Sequence, residues 1–388
     1  MIPFDGQTPR MIYGEGVSLT ISGYLDNLNV KNVMVVYDAG VKSAGLIDPI
    51  VNALKEKGYN IAEYDGVVPD PTVEVIENGA RLAKDAGVEA FIGVGGGSAL
   101  DATKCMALLQ SNPGSLLDYM GVGVAKNACP PWIAVPTTSG TGSEVTALSI
   151  ITDAANERKV MVKDLIKMKA AVAYLDPTLL TGLPKGLTAA TGVDALTHAI
   201  EGFTIPRSNE FSDLFAVGAI KRIMKYLPLA VKNGKDLEAR GQMLIAASYG
   251  GLAFANASLH IGHAIAHGIG ASLHVPHGIA CAWGARFSIR QAGQSMPYGR
   301  LQTLAQTLGI DIIGLERAEL IRACEDVVAA LIRQVGIPTP ADMKLGEKDK
   351  MELAFKTTWE KEQFMSQASG TPIDEATMRS YFEEIWAQ

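Results

Sequence analysis

The feature that most restricts the fold of this chain is a change of rhythm part-way along it. From the start to about Pro184, short apolar runs alternate with amphipathic helical patterns. Residues 32–37 (NVMVVY) are rich in β-branched side chains and too few for a helix, whereas 46–57 carries its apolar residues at helical spacing until Gly58 stops it. A strand at 60–64, a helix at 72–86 and a buried apolar strand at 90–94 follow. Such β-α-β alternation predicts a largely parallel sheet covered by helices on both faces. After a strand at 132–136, the text VTALSIITDAANERKVMVKD reads as two alternating strands around a polar turn at Asp153 to Glu157, a hairpin attached to the sheet domain. Beyond LDPTLLTGLPKG the β-branched runs disappear, and Ala-, Leu- and Ile-rich helical patterns continue to the C-terminus. The expectation is an α/β domain over 1–184 and an all-α domain over 185–388.

Two domains also suit a chain of 388 residues, which exceeds the length at which a single hydrophobic core usually stops growing. No repeat or low-complexity linker separates the halves, so the expected ligand site is a crevice between them. The net charge of −7 provides no basic excess to neutralise nucleic-acid phosphates, and Lys and Arg are scattered, so a small molecule is the expected partner. Cys105, Cys129, Cys281 and Cys324 are far apart with no C-x-x-C pair, which argues against a disulfide framework and against a cysteine zinc site. They read as reduced, mostly core residues. The opening segment MIPFDGQTPRMIYGEG lacks the basic and apolar regions of a secretion signal, and no stretch has the roughly 18 apolar residues that span a bilayer. A cytoplasmic protein without membrane contact is expected.

Three features of the first half point to a nucleotide. The strand at 90–94 runs into Gly95, Gly96 and Gly97 and a helix starting near Ser98, so backbone N–H groups and the helix dipole could meet a pyrophosphate. A plain strand-to-helix turn is the alternative, since G-x-G-x-x-G is not matched. Asp38, at the end of an early strand, suits the ribose hydroxyls of NAD and repels the 2′-phosphate of NADP; its alternative is a helix N-cap. In PTTSGTGSEV, the hydroxyls of Thr137, Thr138, Thr141 and Ser143 could donate to phosphate or ribose oxygens, with Gly140 and Gly142 admitting the backbone.

The second half carries the histidines. Five of six lie within HIGHAIAHGIGASLHVPHG, from His260 onward, and the sixth is His198 in GVDALTHAIEG. Asp194 and His198 are four apart, as are His263 and His267, so each pair shares a helix face. A carboxylate with three imidazoles forms a set of borderline softness, suited to Fe²⁺ or Zn²⁺ and able to leave positions open for a substrate oxygen. Spacing alone does not select three imidazoles from the five in this stretch and His198.

These segments together resemble the iron-containing, group III alcohol dehydrogenase family. The matching pieces are GGGSALD (95–101), PTTSGTGSE (136–144), LDPTLLTGLP (175–184), TGVDALTHAIE (191–201) and GHAIAHGIGASLHVPHG (262–278), in the family's order. The resemblance implies a Rossmann-like nucleotide-binding domain followed by a helical metal- and substrate-binding domain. It places the metal ligands at Asp194, His198, His263 and His277, with Fe²⁺ as the first expectation and Zn²⁺ as the second. It makes His267 a non-ligand histidine beside the metal and a candidate proton relay, and it assigns NAD contacts to Asp38, Gly95, Gly96, Gly97, Ser98, Thr137 and Thr138. His260 and His274 remain without a role, as pocket-lining, ligand-supporting or structural residues.

The implied reaction is reversible hydride transfer between a primary or short-chain alcohol, or a diol, and NAD, giving the aldehyde. The rivals are a reaction like that of glycerol dehydrogenases or dehydroquinate synthases on the same scaffold, and a metal hydrolase. The mainly Ala, Gly and Ile neighbours of the histidines favour a small, weakly polar alcohol over a phosphorylated substrate. Large apolar helices also suggest a homodimer or higher homo-oligomer.

Overall fold

The computed structural model describes residues 8–156 and 158–388. Residues 1–7 of the opening segment and Glu157 of the hairpin turn lie outside the described residues. The chain forms two compact units, one of Thr8–Thr138 with Gly142–Gly182 and one of Leu183–Gln388 with Ser139–Thr141.

The first unit is built on a parallel sheet. Its strands are β1 (Arg10–Tyr13), β2 (Asn32–Asp38), β3 (Asn60–Val67), β4 (Ala90–Gly95), β6 (Trp132–Pro136) and β9 (Val172–Leu175), in the order β1-β9-β6-β4-β2-β3. All pairings in this sheet are parallel, as the alternating pattern predicts. A second sheet joins β5 (Gly121–Val122), β7 (Leu148–Asp153) and β8 (Arg158–Lys163); β7 and β8 form the expected antiparallel hairpin. The edge strand β1 escapes the sequence pattern because its four residues, RMIY, are partly exposed.

Short helices α1 (Ser22–Leu25) and α2 (Ala39–Ser43) precede the longer α3 (Ile47–Glu56), α4 (Val73–Asp85) and α5 (Gly97–Ser111). Strand periodicity assigns the sheet's two faces. Val33, Val35, Ile92, Val94, Ile133 and Val135 share one core with Ile47, Ile50 and Leu54 of α3. On the opposite face, a Cβ added at Gly93 would lie 2.6 Å from Thr103 Oγ1, so α5 packs directly on the strand backbone there. Both faces of β4 are therefore covered, and all six of its residues are buried.

The second unit is helical: α6 (Lys185–Thr204), α7 (Glu210–Lys232), α8 (Leu237–Ala255), α9 (Ile261–Leu273), α10 (His277–Gly293), α11 (Tyr298–Thr307), α12 (Arg317–Gln334), α13 (Lys348–Lys361), α14 (Gln363–Ser366) and α15 (Glu375–Trp386). Helix α6 is buried almost all round from Thr188 onward and packs against α7, α8 and α10, so it is a core helix rather than an amphipathic surface one. Small residues bring its neighbours close. A Cβ at Gly284 would lie 2.5 Å from Gly262 O, so α9 and α10 cross backbone to backbone at that pair. A Cβ at Gly278 would meet Ala190 O at 2.4 Å, which holds the start of α10 against α6. At Gly268, α9 packs against Thr358 on α13. Among the described residues, no helix is long and apolar enough to cross a membrane.

The crossing gives a direct test. Gly284→Ala forces a methyl into the Gly262 carbonyl and is expected to destabilise the protein by about 1–3 kcal/mol, as overpacking does. Gly299→Ala, on exposed α11 with nothing within 4 Å, is expected to be neutral or stabilising. Thermal unfolding of the two variants beside the native protein distinguishes a close-packed crossing from a merely permissive glycine.

Candidate functional site

Three helices of the second unit converge on one carboxylate. Asp194 and His198 lie one turn apart on α6, His263 is in the first turn of α9, and His277 starts α10. Asp194 Oδ1 is 3.7 Å from His198 Nε2 and 3.6 Å from both His263 Nε2 and His277 Nε2. A tetrahedron of donors around an ion with bonds of about 2.1 Å has edges of about 3.4 Å, so these separations fit a ligand shell. Asp194 Oδ1 and His263 Nε2 are buried and make no hydrogen bond, which is costly unless a cation completes them. Burial pushes the His198 imidazole down to about 4, which keeps it in the neutral, metal-ligating form. Burial alone would raise the Asp194 carboxyl, but the surrounding imidazoles of His198, His277 and His263 hold it well below the usual carboxylate range.

Rings pack around this point. His198 stacks on Phe254 with centroids 4.4 Å apart and on His263 at 4.6 Å. His267, one turn along α9, lies 5.7 Å from the His277 ring and is partly exposed, with its Nδ1 3.6 Å from Glu362 Oε2 just beyond α13. The Gly268–Thr358 contact is what brings that end of α13 over His267.

Glu201 has no role in the sequence reading, yet it organises the site. It follows Asp194 by two turns on α6 and is fully buried. Its Oε2 accepts from His263 Nδ1 at 2.7 Å and from the His260 N–H at 3.1 Å. Its Oε1 accepts from the Gly262 N–H at 2.6 Å and the Ser288 hydroxyl at 2.7 Å. Burial opposes its ionisation, but the His260 and His263 imidazoles and these donors hold its carboxyl well below the usual range. Because Glu201 accepts a hydrogen bond from His263 Nδ1–H, the Nε2 lone pair faces Asp194. The spacing Asp194, His198, Glu201 along one helix face was the available signal.

The two unassigned histidines sit at the two ends of α9. His260 is buried before α9, where its Nε2 pairs with Thr204 Oγ1 at 2.8 Å. His274 is exposed and caps the end of α9 with φ 55°, a left-handed conformation that a non-glycine residue adopts uncommonly. Cys281 is buried in the core, as the cysteines were mostly expected to be, and it also joins Asp194, His263 and His277 in one cluster of donor atoms. The missed signal is its i, i+4 spacing from His277.

In the first unit, the sequence-selected residues gather at the C-terminal ends of adjacent strands β2, β4 and β6, the usual ligand edge of an open parallel sheet. Gly95 has φ 157°, and a Cβ there would lie 2.5 Å from Ala99 and 3.4 Å from Asp38 Oδ2. The Thr137 N–H donates to Gly95 O at 3.0 Å, and Thr138 lies against Gly96. Helix α5 starts at Gly97 behind Gly96 and lacks a side-chain cap, so Ser98 is in its open first turn. Asp38 does act as an N-cap: its Oδ1 accepts from the Val41 N–H at 3.0 Å. Its Oδ2 is left beside Gly95, so capping and ribose recognition are compatible.

Other parts of the polar loop are engaged internally. Ser143 donates to Asp101 Oδ1 at 2.6 Å and accepts from Lys104 Nζ at 2.7 Å, while Lys104, fully buried, also donates to Leu148 O. Gly140 answers to packing, since a Cβ there would sit 2.8 Å from Thr191 O. The apolar flanks of Lys104 concealed this ion-paired network from the sequence reading.

The comparisons with known proteins bear on both units. The family model for iron-containing alcohol dehydrogenase matches residues 8–177, and that for the C-terminal part of the Fe-containing alcohol dehydrogenase family matches residues 188–384. The chain belongs to the iron-containing alcohol dehydrogenase family. It is 35% identical to the NAD-dependent methanol dehydrogenase of Bacillus methanolicus over 360 residues, 91% of this chain and 92% of that one. It is 34% identical to long-chain-alcohol dehydrogenase 1 of Geobacillus thermodenitrificans over 363 residues, 93% and 91% of the two chains. Among solved structures, a 1,3-propanediol oxidoreductase superposes with a TM-score of 0.91 at 29% identity, covering 99% of this chain and 100% of that one. An alcohol dehydrogenase from Oenococcus oeni gives the same TM-score at 30% identity, with the same coverage. The family's two-part fold, parallel sheet then helices, is the one seen here.

Glu201 provides the test of this geometry. Glu201→Gln removes the charge and presents an amide to His263, and it is expected to weaken metal binding by about 10–100-fold, as loss of a ligand's supporting partner typically does. Competition against a chromophoric chelator measures this; unchanged affinity would show that the Glu201–His263 bond is not needed to hold the site.

Proposed function

We propose that this chain reversibly oxidises a primary or short-chain alcohol, or a diol, to the aldehyde with NAD, at a divalent metal centre on Asp194, His198, His263 and His277. The observation that carries the reading is the meeting of Asp194 Oδ1 with three imidazole Nε2 atoms at 3.6–3.7 Å, with Asp194 Oδ1 and His263 Nε2 buried and lacking hydrogen bonds. The names of its relatives, which include alcohol and methanol dehydrogenases, support the reaction class.

A divalent ion bound there, iron ahead of zinc, supplies Lewis acidity toward an alcohol oxygen, and bound NAD supplies the hydride acceptor. Asp194 contributes the anionic donor and His198, His263 and His277 the neutral ones. Glu201 fixes the tautomer of His263 by accepting a hydrogen bond from its Nδ1–H. Phe254, stacked on His198, keeps that ring oriented and shields it from water. With Nδ1 turned toward Glu362, His267 has Nε2 as the atom to take up the proton an alcohol loses, and its partial exposure lets that proton pass to solvent.

On the nucleotide side, Gly95, Gly96, Gly97 and Ser98 at the uncapped start of α5 suit a pyrophosphate, with Thr137 and Thr138 beside them. Asp38 Oδ2 suits the ribose hydroxyls. The reading includes a homodimer or higher assembly, and a cytoplasmic setting, which four free cysteines support.

Mixing the protein with NAD and a panel of alcohols is expected to raise absorbance at the reduced-nicotinamide band in proportion to bound metal. Full activity in metal-free protein would end the proposal. His263→Ala is expected to lose metal and activity together while still binding NADH. His267→Ala is expected to keep its metal and lose turnover by about 10²-fold or more, the usual range for a proton-transfer group. A His267→Ala variant with native turnover and pH profile removes the relay. Asp38→Gly is expected to relax the preference for NAD over NADP, and an unchanged ratio of kcat/KM values for the two cofactors removes the ribose role.

A further inference from the structure

The ligand set leaves one side chain at the metal centre without a role. Cys281 follows His277 by one turn of α10, so the two project from one helix face. Its Sγ is 3.4 Å from His277 Nε2, and the residue is fully buried. One donor atom each from Asp194, His263, His277 and Cys281 lie within 4.8 Å of one another. Donors on one ion with bonds of about 2.1 Å to nitrogen or oxygen and about 2.3 Å to sulfur lie at most about 4.4 Å apart, so the cluster closes on an ion with shifts of at most a few tenths of an ångström. Asp194 Oδ1 and His263 Nε2, both buried without hydrogen bonds, belong to the same cluster, so the sulfur shares the space those atoms leave unsatisfied.

Packing alone does not demand sulfur here. The buried wall of the same core is made largely of Ala, Ile, Leu and Val, and Cys324 on α12 lies in it outside any metal-ligating cluster among the described residues. What distinguishes Cys281 is its position among the donors.

We propose that Cys281 is a further protein ligand of the metal, adding a thiolate to Asp194, His263 and His277, the donors with which it clusters. On binding, the S–H bond breaks heterolytically, its electron pair goes to the metal–sulfur bond, and the proton passes to solvent; no oxidant or reductant is involved. The soft sulfur biases the site toward zinc, cobalt and iron over the hard ions manganese and magnesium. The proposal rests on the metal centre proposed above.

The test replaces the native ion with Co²⁺ after chelator stripping and reads cobalt per chain and the absorption spectrum, with no reference to activity. One cobalt per chain is expected, with visible ligand-field bands and a near-ultraviolet sulfur-to-cobalt charge-transfer band. Cys281→Ser and Cys281→Ala are expected to lose the charge-transfer band, whereas Cys105→Ser, Cys129→Ser and Cys324→Ser keep it. Zinc affinity of Cys281→Ser is expected to fall on the order of tenfold relative to its manganese affinity. Native protein that binds one cobalt with ligand-field bands but no sulfur band overturns the thiolate and leaves the metal centre standing. A band that survives in both Cys281 variants likewise overturns it. Failure of the native protein to bind cobalt stoichiometrically overturns the metal centre itself, and the thiolate with it.

Discussion

Two carboxylates buried in the same helix are satisfied in opposite ways, and the second unit is arranged around that difference. Glu201 receives donors from the backbone of His260 and Gly262, from Ser288 and from the His263 ring. Asp194, two turns earlier, has an oxygen that faces three imidazoles and receives no hydrogen bond. Burying an ionised carboxylate costs several kcal/mol even after relaxation, so an arrangement of this kind favours a compensating positive charge at that point. Glu201 supports His263, and Asp194 is left open for the proposed ion.

The close crossings serve that centre. Gly262 and Gly284 let α9 and α10 meet backbone to backbone, and Gly278 lets α10 meet α6 at Ala190. Each crossing lies within a few residues of a proposed ligand: Gly262 precedes His263, and Gly278 follows His277. These side chains are thus held by helix backbones, which is the rigidity a coordination shell requires. In the first unit the same logic appears on a sheet, where Gly93 admits α5 and Gly95 shapes the turn into its uncapped start.

Much of this was legible in the amino-acid sequence because it is written in local periodicity. The β-α-β rhythm foretold the parallel sheet, and the i, i+4 pairs on α6 and α9 foretold shared helix faces. What was not legible depends on residues meeting across helices. Glu201 follows His198 by one turn, but nothing local shows that its carboxylate receives Gly262, Ser288 and His263. Cys281 looked like one of four scattered core cysteines until α10 was placed beside Asp194. The crowding of histidines from His260 to His277 has a mixed origin: two are candidate ligands, one flanks them, and His260 and His274 serve the two ends of α9. Short polar-edged strands such as β1 carry too few buried residues to announce themselves.

The claim on which the rest depends is that one divalent ion occupies the point where α6, α9 and α10 meet. Crystals of the protein loaded with iron, measured on both sides of the iron absorption edge, locate that ion without assumption about the reaction. The account predicts one anomalous peak per chain at about 2.0–2.2 Å from Asp194 Oδ1 and from Nε2 of His198, His263 and His277. A peak elsewhere, or none at full occupancy of iron in solution, would contradict it.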